Sequence, residues 1–113
     1  MAVTIEGSGT VSAVIGTEHT LLTDSDPKVF VLLVDTLNMA LGDTLILRVY
    51  VQVLSGGALR EAYTAVFTHT QPDEEIKISI PVPSPGHTNG FRATLQQTTG
   101  AAGRDFDWSV VSV

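Results

Sequence analysis

The sequence predicts an all-β protein, an antiparallel β-sandwich of about seven or eight strands. Apolar and polar side chains alternate with a period of two in several short segments, as in strands with one buried face. Clusters of glycine, proline and aspartate separate these segments, and no segment carries a long helical pattern. Two packed antiparallel sheets are the simplest closed arrangement of such strands, and a jelly roll is one form of it.

Residues 44–67 contain the clearest pair of strands. Every odd position from 45 to 53 is leucine or valine, while the even positions carry polar residues together with Ile46 and Tyr50. The segment 59–67 alternates in the same way after a glycine pair. Period-two alternation on both sides of such a pair is typical of a β-hairpin.

The N-terminal part of the chain predicts short strands. Residues 2–6 and 10–15 are β-type runs that a Gly-Ser-Gly segment interrupts, and residues 18–23 form another run. A turn follows at residues 24–27, where aspartate and proline favour a chain reversal. For residues 1–27 two alternatives remain open, strands of the core or an N-terminal arm that contacts a partner.

Residues 29–34 form an uninterrupted β-branched and aromatic run, typical of a strand covered on both faces. Residues 35–41 are compatible with one helical turn that ends at Gly42. Isoleucines alternate with other residues from 76 to 80, and the prolines that follow predict an edge strand, because proline cannot donate to a ladder. Two final strands are predicted around residues 91–95 and 106–110, both with alternating aromatic and aliphatic positions.

The length and composition of the chain limit the classes of protein to which it can belong. At 113 residues the chain predicts a single domain over residues 1–113, and its charged fraction of 16% favours a small β-domain or a surface that a partner covers. The net charge of −6 argues against binding to a nucleic-acid backbone. No cysteine is present, which excludes disulfides, thiolate metal sites and a cysteine nucleophile. We expect no signal peptide and no membrane span, and therefore a soluble chain made in a cytoplasm.

Candidate chemical groups are few. Acidic residues cluster at 24–26, 73–75 and 105–107, but none of these clusters matches a calcium-binding loop, and solvated turns are the better interpretation. The three histidines lack metal-ligand spacing, and no Gly-x-Ser-x-Gly motif is present. We therefore expect no enzymatic activity, no cofactor and no metal. Tyr50 and Trp108 leave a carbohydrate-binding module as an alternative, against the interpretation that Trp108 anchors the core.

The predicted hairpin has unexpected apolar content on its second face, at Ile46, Tyr50 and Leu54. A monomer rarely leaves a large apolar patch in water, so either another sheet or another subunit is expected to cover it.

Several segments together resemble a group of small tailed-bacteriophage proteins encoded among virion structural genes. The resemblance spans nearly the whole chain and lies in the segments GTEHTLLTDSD, LRVYVQVLSGGALREAY and FRATLQQTTGAAGRDFDWSV. The positions that carry it are Glu18, Leu21, Val34, Asp35, Arg48, Gln97, Thr98, Gly100, Arg104, Phe106 and Trp108. These motifs are structural and carry no reaction.

The resemblance implies a virion component, namely a capsid cement or decoration protein on the capsid surface that reinforces the head shell. Its expected partners are the major capsid protein and copies of itself, as dimers or trimers, with no nucleic acid and no membrane. A surface-binding module of a virion and a head-completion or tail component are the alternatives. The N-terminal segment and the loops at 69–75 or 84–90 are the expected contact regions. The individual contact residues predicted are Ile46, Tyr50, Leu54, His69, Gln71, His87 and Asn89.

Overall fold

The computed structural model describes residues 2–113, and within this range the chain forms nine β-strands and no helix. No helix within residues 2–113 is long and apolar enough to cross a bilayer. All strand pairs are antiparallel, which confirms the predicted all-β sandwich. The strands are β1 (Thr4–Ser12), β2 (Glu18–Asp24), β3 (Val29–Asp35), β4 (Thr44–Val51), β5 (Arg60–Thr68), β6 (Ile76–Ile78), β7 (Val82–Pro83), β8 (Phe91–Thr99) and β9 (Asp105–Ser112).

The strands form two sheets. Sheet A has the order β1-β9-β3-β6, with β7 also paired to β3, and sheet B has the order β2-β8-β4-β5. The short strands β6 and β7 lie along the same edge of β3, so they act as one edge strand that residues 79–81, which include Pro81, interrupt. Counting them as one strand reduces the nine strands to eight, and the resulting order is that of a jelly roll. Residues 4–12 and 18–24, for which an arm was the alternative, lie in strands of the two sheets.

The core lies between the two sheets. Phe30 of sheet A and Phe91 of sheet B are both 0% exposed, and their rings stack with centroids 4.0 Å apart. Alternate residues of β3, β4, β8 and β9 surround this pair, and the period-two patterns predicted this alternation for β4, β8 and β9. The buried hydrophobic residues are Ala13, Phe30, Leu32, Val34, Met39, Leu45, Leu47, Val49, Val82, Phe91, Ala93, Leu95, Phe106 and Val110.

The prediction that Gly7-Ser8-Gly9 interrupts the first strand was wrong. β1 continues through these residues and pairs with β9 along its length, Gly9 lying opposite Trp108. A Cβ added to Gly9 would lie 3.6 Å from Nε1 of Trp108, and one added to Gly7 would lie 3.1 Å from Cδ1 of Leu22. The two glycines leave room for the indole ring to lie over the strand, so they serve packing and not a turn.

Two further expectations about β3 and its neighbours are corrected. Residues 36–43 form two successive turns, closed by the bonds from Met39 N to Thr36 O and from Asp43 N to Ala40 O, in place of a helical turn. β3 is buried only on the side of the core, because its other side is the outer face of sheet A.

One end of the sandwich is closed by a buried polar network. Asp43 is 0% exposed, and its Oδ2 accepts hydrogen bonds from Arg104 Nε at 3.0 Å and from Ala40 N at 2.9 Å. The buried Gln97 accepts a bond from Arg104 N and donates to Ala102 O, both at 2.9 Å. The network therefore joins the loop before β4 to the turn between β8 and β9.

Candidate functional site

The two outer faces of the sandwich differ in chemistry. On sheet B, the Glu18 carboxylate accepts hydrogen bonds from Tyr50 Oη and Thr94 Oγ1, each at 2.6 Å, and lies 3.6 Å from Arg48 Nη1. Arg48 Nε lies in turn 3.3 Å from an oxygen of Glu61, so the network crosses four strands. Burial raises the pKa of Glu18, but the bonds from Thr94 and Tyr50 and the nearby arginines outweigh it, so the pKa is lowered. These charged groups on the outer face of sheet B are therefore paired within the chain, although Arg92 Nε has no hydrogen-bond partner and Ile46 lies opposite Val66 on the same face.

The outer face of sheet A is apolar in one part, while the pairs Thr10–Asp107 and Ser12–Asp105 make another part of it polar. Cross-strand neighbours form one row of Ile5, Val111 and Val31 on β1, β9 and β3. In the next row Leu33 lies opposite Ile78, which is 61% exposed. No other layer of the chain, within residues 2–113, covers this side of the sheet. We call this surface the apolar face, formed by Ile5, Val29, Val31, Leu33, Ile76, Ile78, Ile80 and Val111.

A shallow hollow of about 280 Å³ lies at one end of the apolar face. Leu33 and Ile76 supply apolar walls, while Asp35, Asp107 and Ser109 supply polar atoms at its rim. A depression that joins aliphatic walls to carboxylates suits a long basic side chain, whose stem is apolar and whose head is charged.

The alternation at 76–80 has the opposite orientation from an ordinary edge strand. The isoleucines point to solvent, whereas Ser79 is 6% exposed and Lys77 turns inward, with Nζ 5.0 Å from the ring centroid of Phe67. The sequence carried a signal for this surface, namely the isoleucines together with the run at 29–34. Neither pattern by itself says which side remains uncovered.

The residues predicted from the sequence to make contacts do not form one surface. Ile46 and Tyr50 lie on the outer face of sheet B, and Leu54 is 73% exposed beyond the end of β4. His69 and Gln71 lie in the loop between β5 and β6, where Nδ1 of His69 accepts a bond from Gly42 N and Gln71 donates to Thr68 O. His87 and Asn89 lie in the loop before β8.

His87 and Asn89 support the turn that leads into β8. Nε2 of His87 lies 3.0 Å from Val53 O, and Asn89 N donates to Ser25 Oγ at 2.9 Å. Asn89 has a φ of 50°, in the left-handed region that asparagine tolerates better than most residues. Both residues therefore have a local structural role in this loop.

The acidic residues near position 24 surround a lysine. Single carboxylate oxygens of Glu6, Asp24 and Asp26 lie within 4.8 Å of one another. Lys28 Nζ lies 3.0 Å from Glu6 Oε1 and 3.5 Å from Asp26 Oδ2, so an ammonium group of the chain already offsets part of their negative charge. The pair at 105–107 accepts hydrogen bonds from Ser12 and Thr10 on β1. Cross-strand and ion-pair contacts thus account for both clusters.

The ion pair of Glu6 predicts how stability depends on pH. A bond from Ser112 Oγ and the contact with Lys28 lower the pKa of Glu6 from its ordinary value of 4.5. A carboxylate with a lowered pKa stabilises the fold above its unfolded pKa, and this contribution is lost as the pH falls through the folded pKa. We expect Glu6→Gln to make the fall in unfolding free energy below pH 4.5 shallower, measured by urea unfolding at a series of pH values.

Asp73→Asn provides the control, because it removes one negative charge from an exposed loop position outside this cluster. In Asp73→Asn the unfolding free energy is expected to fall with decreasing pH more nearly as steeply as in the wild type than it does in Glu6→Gln. Identical slopes for the wild type and Glu6→Gln would contradict the prediction.

The histidines and the large aromatic side chains have local partners. All three histidine rings lie within hydrogen-bond distance of main-chain atoms, at Val14 N, Gly42 N and Val53 O. The Tyr50 ring has the Arg92 guanidinium 6.0 Å from its centroid, and its hydroxyl donates to Glu18. Trp108 packs against the core beside Gly7.

No protein-family model, no curated protein and no solved structure matches this chain. The two outer faces of the sandwich differ in what they leave exposed to water. On the outer face of sheet B, Glu18, Arg48 and Glu61 are paired with one another, whereas the apolar face leaves large aliphatic side chains in contact with water.

Proposed function

We propose that this chain is a virion structural protein that attaches to the head shell of a tailed phage as a cement or decoration protein. The observation that carries the proposal is the apolar face, which is the surface of a β-sandwich that needs a partner. The sequence resemblance to small phage virion proteins supports the same role. The jelly-roll fold is compatible with it but does not select it, because this fold also occurs in lectins and enzymes.

Burial of the apolar face would supply the binding energy. Apolar surface removed from water contributes about 25 cal/mol per Å² before the costs of association are subtracted. Ile5, Ile78 and Ile80 are each more than half exposed, at 66%, 61% and 54%. Each copy thereby contributes a modest interface, and many copies that bridge neighbouring shell subunits multiply its effect.

The hollow indicates the charge of the partner surface. Asp35 and Asp107 lie at its rim, and the whole chain carries a net charge of −6. A shell surface that is apolar and presents a lysine or arginine complements this arrangement. The aliphatic stem of that side chain would lie against Leu33 and Ile76, and its charged head would reach the carboxylates.

Ile78→Asp tests the proposal on purified particles. The substitution places a charge on the apolar face, on its edge strand β6, at a position that is exposed in the free protein, so folding should be retained. We expect the variant to be lost from particles. Those particles should release their genome at a lower temperature than wild-type particles, and particles made without the protein should do the same. Immunoblots and thermal-release curves measure the two effects.

Leu41→Asp is the matched control, since Leu41 is 81% exposed in a loop outside the apolar face. It should bind particles as the wild type does. Full incorporation of Ile78→Asp, or equal heat resistance of particles with and without the protein, would refute the cement role. A copy number far below that of the shell subunit would indicate a head-completion or tail component.

A further inference from the structure

The free edge of sheet B is a second surface, separate from the apolar face. β5 is the outermost strand of this sheet and pairs only with β4. It spans nine residues, and the ladder is regular from Tyr63 to Thr68, with one bulge near Ala62. The main-chain groups on its outer side form a row to which another strand can hydrogen-bond.

The other sheet edges carry features that discourage such pairing. β1 contains Gly7 and Gly9 and turns the charged Glu6 inward next to a bulge. β2 is bulged in its middle and begins and ends with acidic residues. β6 and β7 have only three and two residues and are separated by a proline-containing segment. Of the edges within residues 2–113, β5 alone offers a regular, uncharged stretch of strand-forming residues.

We propose that β5 pairs antiparallel with β5 of a second copy of this chain, so that the two four-stranded B sheets join into one continuous sheet. Identical strands related by a two-fold axis perpendicular to the sheet meet antiparallel, and this operation keeps the inner faces on the same side. The pairing leaves the apolar face free. The dimer can therefore form whether or not the chain is attached to a shell. On attachment, the dimer would be the unit that binds.

The side chains of β5 define the register. With Ala65 on the two-fold axis, Tyr63 lies opposite Phe67 of the second copy and Thr64 lies opposite Val66. Tyr63 and Phe67 are half-buried and pack against the core, so the first pair extends the core across the junction. Aromatic pairs and pairs of β-branched residues stabilise antiparallel ladders. This register also leaves Arg60 and Glu61 outside the central pairs.

Charge substitutions on the exposed side of β5 test both the pairing and its register. Thr64 and Val66 are exposed, and Val66 is 57% exposed, so changes there should leave the monomer folded. The wild type is expected to show a concentration-dependent dimer by analytical ultracentrifugation. The double variant Thr64→Lys/Val66→Lys, which opposes lysines across the axis, should remain monomeric at the same concentrations.

The variant Thr64→Lys/Val66→Glu tests the register, because each lysine then faces a glutamate of the second copy. We expect it to restore the dimer, and this restoration should weaken as salt screens the pairs. Thr20→Lys/Thr23→Lys places the same charges on β2, the opposite edge of the sheet, and should dimerise as the wild type does.

Three results would overturn the proposal. They are a wild type that stays monomeric up to near-millimolar concentration, a dimer that survives Thr64→Lys/Val66→Lys, and a dimer that Ile78→Asp abolishes. The last of these would assign self-association to the apolar face. Particle binding by Thr64→Lys/Val66→Lys is measured separately, so failure of edge pairing and failure of the cement role give different results.

Discussion

Phe30→Ala is expected to lower the free energy of unfolding by about 3–5 kcal/mol, because it empties the centre of the core. The side chain is 0% exposed and stacks on Phe91 of the facing sheet, so its removal takes contacts from both layers at once. A loss of this size is a large part of the about 5–15 kcal/mol that stabilises a typical domain. Urea unfolding followed by tryptophan fluorescence at Trp108 measures it as a lower midpoint.

Val53→Ala and Phe30→Leu complete this series. Val53 is 74% exposed, so its truncation should change the midpoint little. Phe30→Leu keeps most of the buried volume and should cost less than Phe30→Ala. A Phe30→Ala midpoint equal to that of Val53→Ala would mean that the two sheets do not pack as described.

Arg104→Met is expected to cost about 3 kcal/mol, because it leaves the Asp43 carboxylate buried without its ionic partner. Asp43 is 0% exposed, and Arg104 Nε is 3.0 Å from its Oδ2. A buried charge that loses its partner pays the desolvation cost without the compensating attraction. Urea or thermal unfolding at neutral pH measures the loss.

The double variant Asp43→Asn/Arg104→Met separates charge from packing. It removes both charges while an amide oxygen can still accept the bond from Ala40 N, so it should recover much of the lost stability. Asp43→Asn alone should cost less than Arg104→Met, since the arginine side chain is 26% exposed and can be solvated. Equal costs for the two single variants would argue against a buried unpaired carboxylate as the cause.

None of the substituted side chains belongs to the surfaces to which we assign binding. The core and the buried network stabilise the sandwich, whereas the apolar face and the edge of β5 are exposed. Variants at Ile78 or Val66 should therefore alter association, while their unfolding midpoints stay close to that of the wild type when both are measured at concentrations at which the wild type is monomeric. This separation allows defects in binding to be distinguished from defects in folding.

Much of the fold could be predicted from local patterns. The alternation in residues 44–67 predicted β4 and β5 with the correct sides toward the core, and the same held for Phe91, Ala93 and Leu95 in β8. The prolines after β6 placed that part of the chain at an edge, which the strand order confirms. Such patterns are readable because a strand presents alternate side chains to its two sides, whatever its neighbours are.

The uncovered face of sheet A, the buried polar network and the role of the β1 glycines could not be predicted from the sequence. The hydrophobic run at 29–34 predicted coverage on both faces, yet the chain covers one. Asp43 and Gln97 are polar residues in the interior, and their burial depends on partners that are distant in sequence, such as Arg104. The glycines of β1 were interpreted as a break because the indole that lies over them comes from the other end of the chain.

The sequence by itself therefore determined where strands form and which side of most of them is apolar, since both follow from the two-residue period of an extended chain. Only the tertiary structure decided that the apolar side of sheet A has no covering layer and that β5 is a free edge, because coverage and strand order are set by pairings between distant segments.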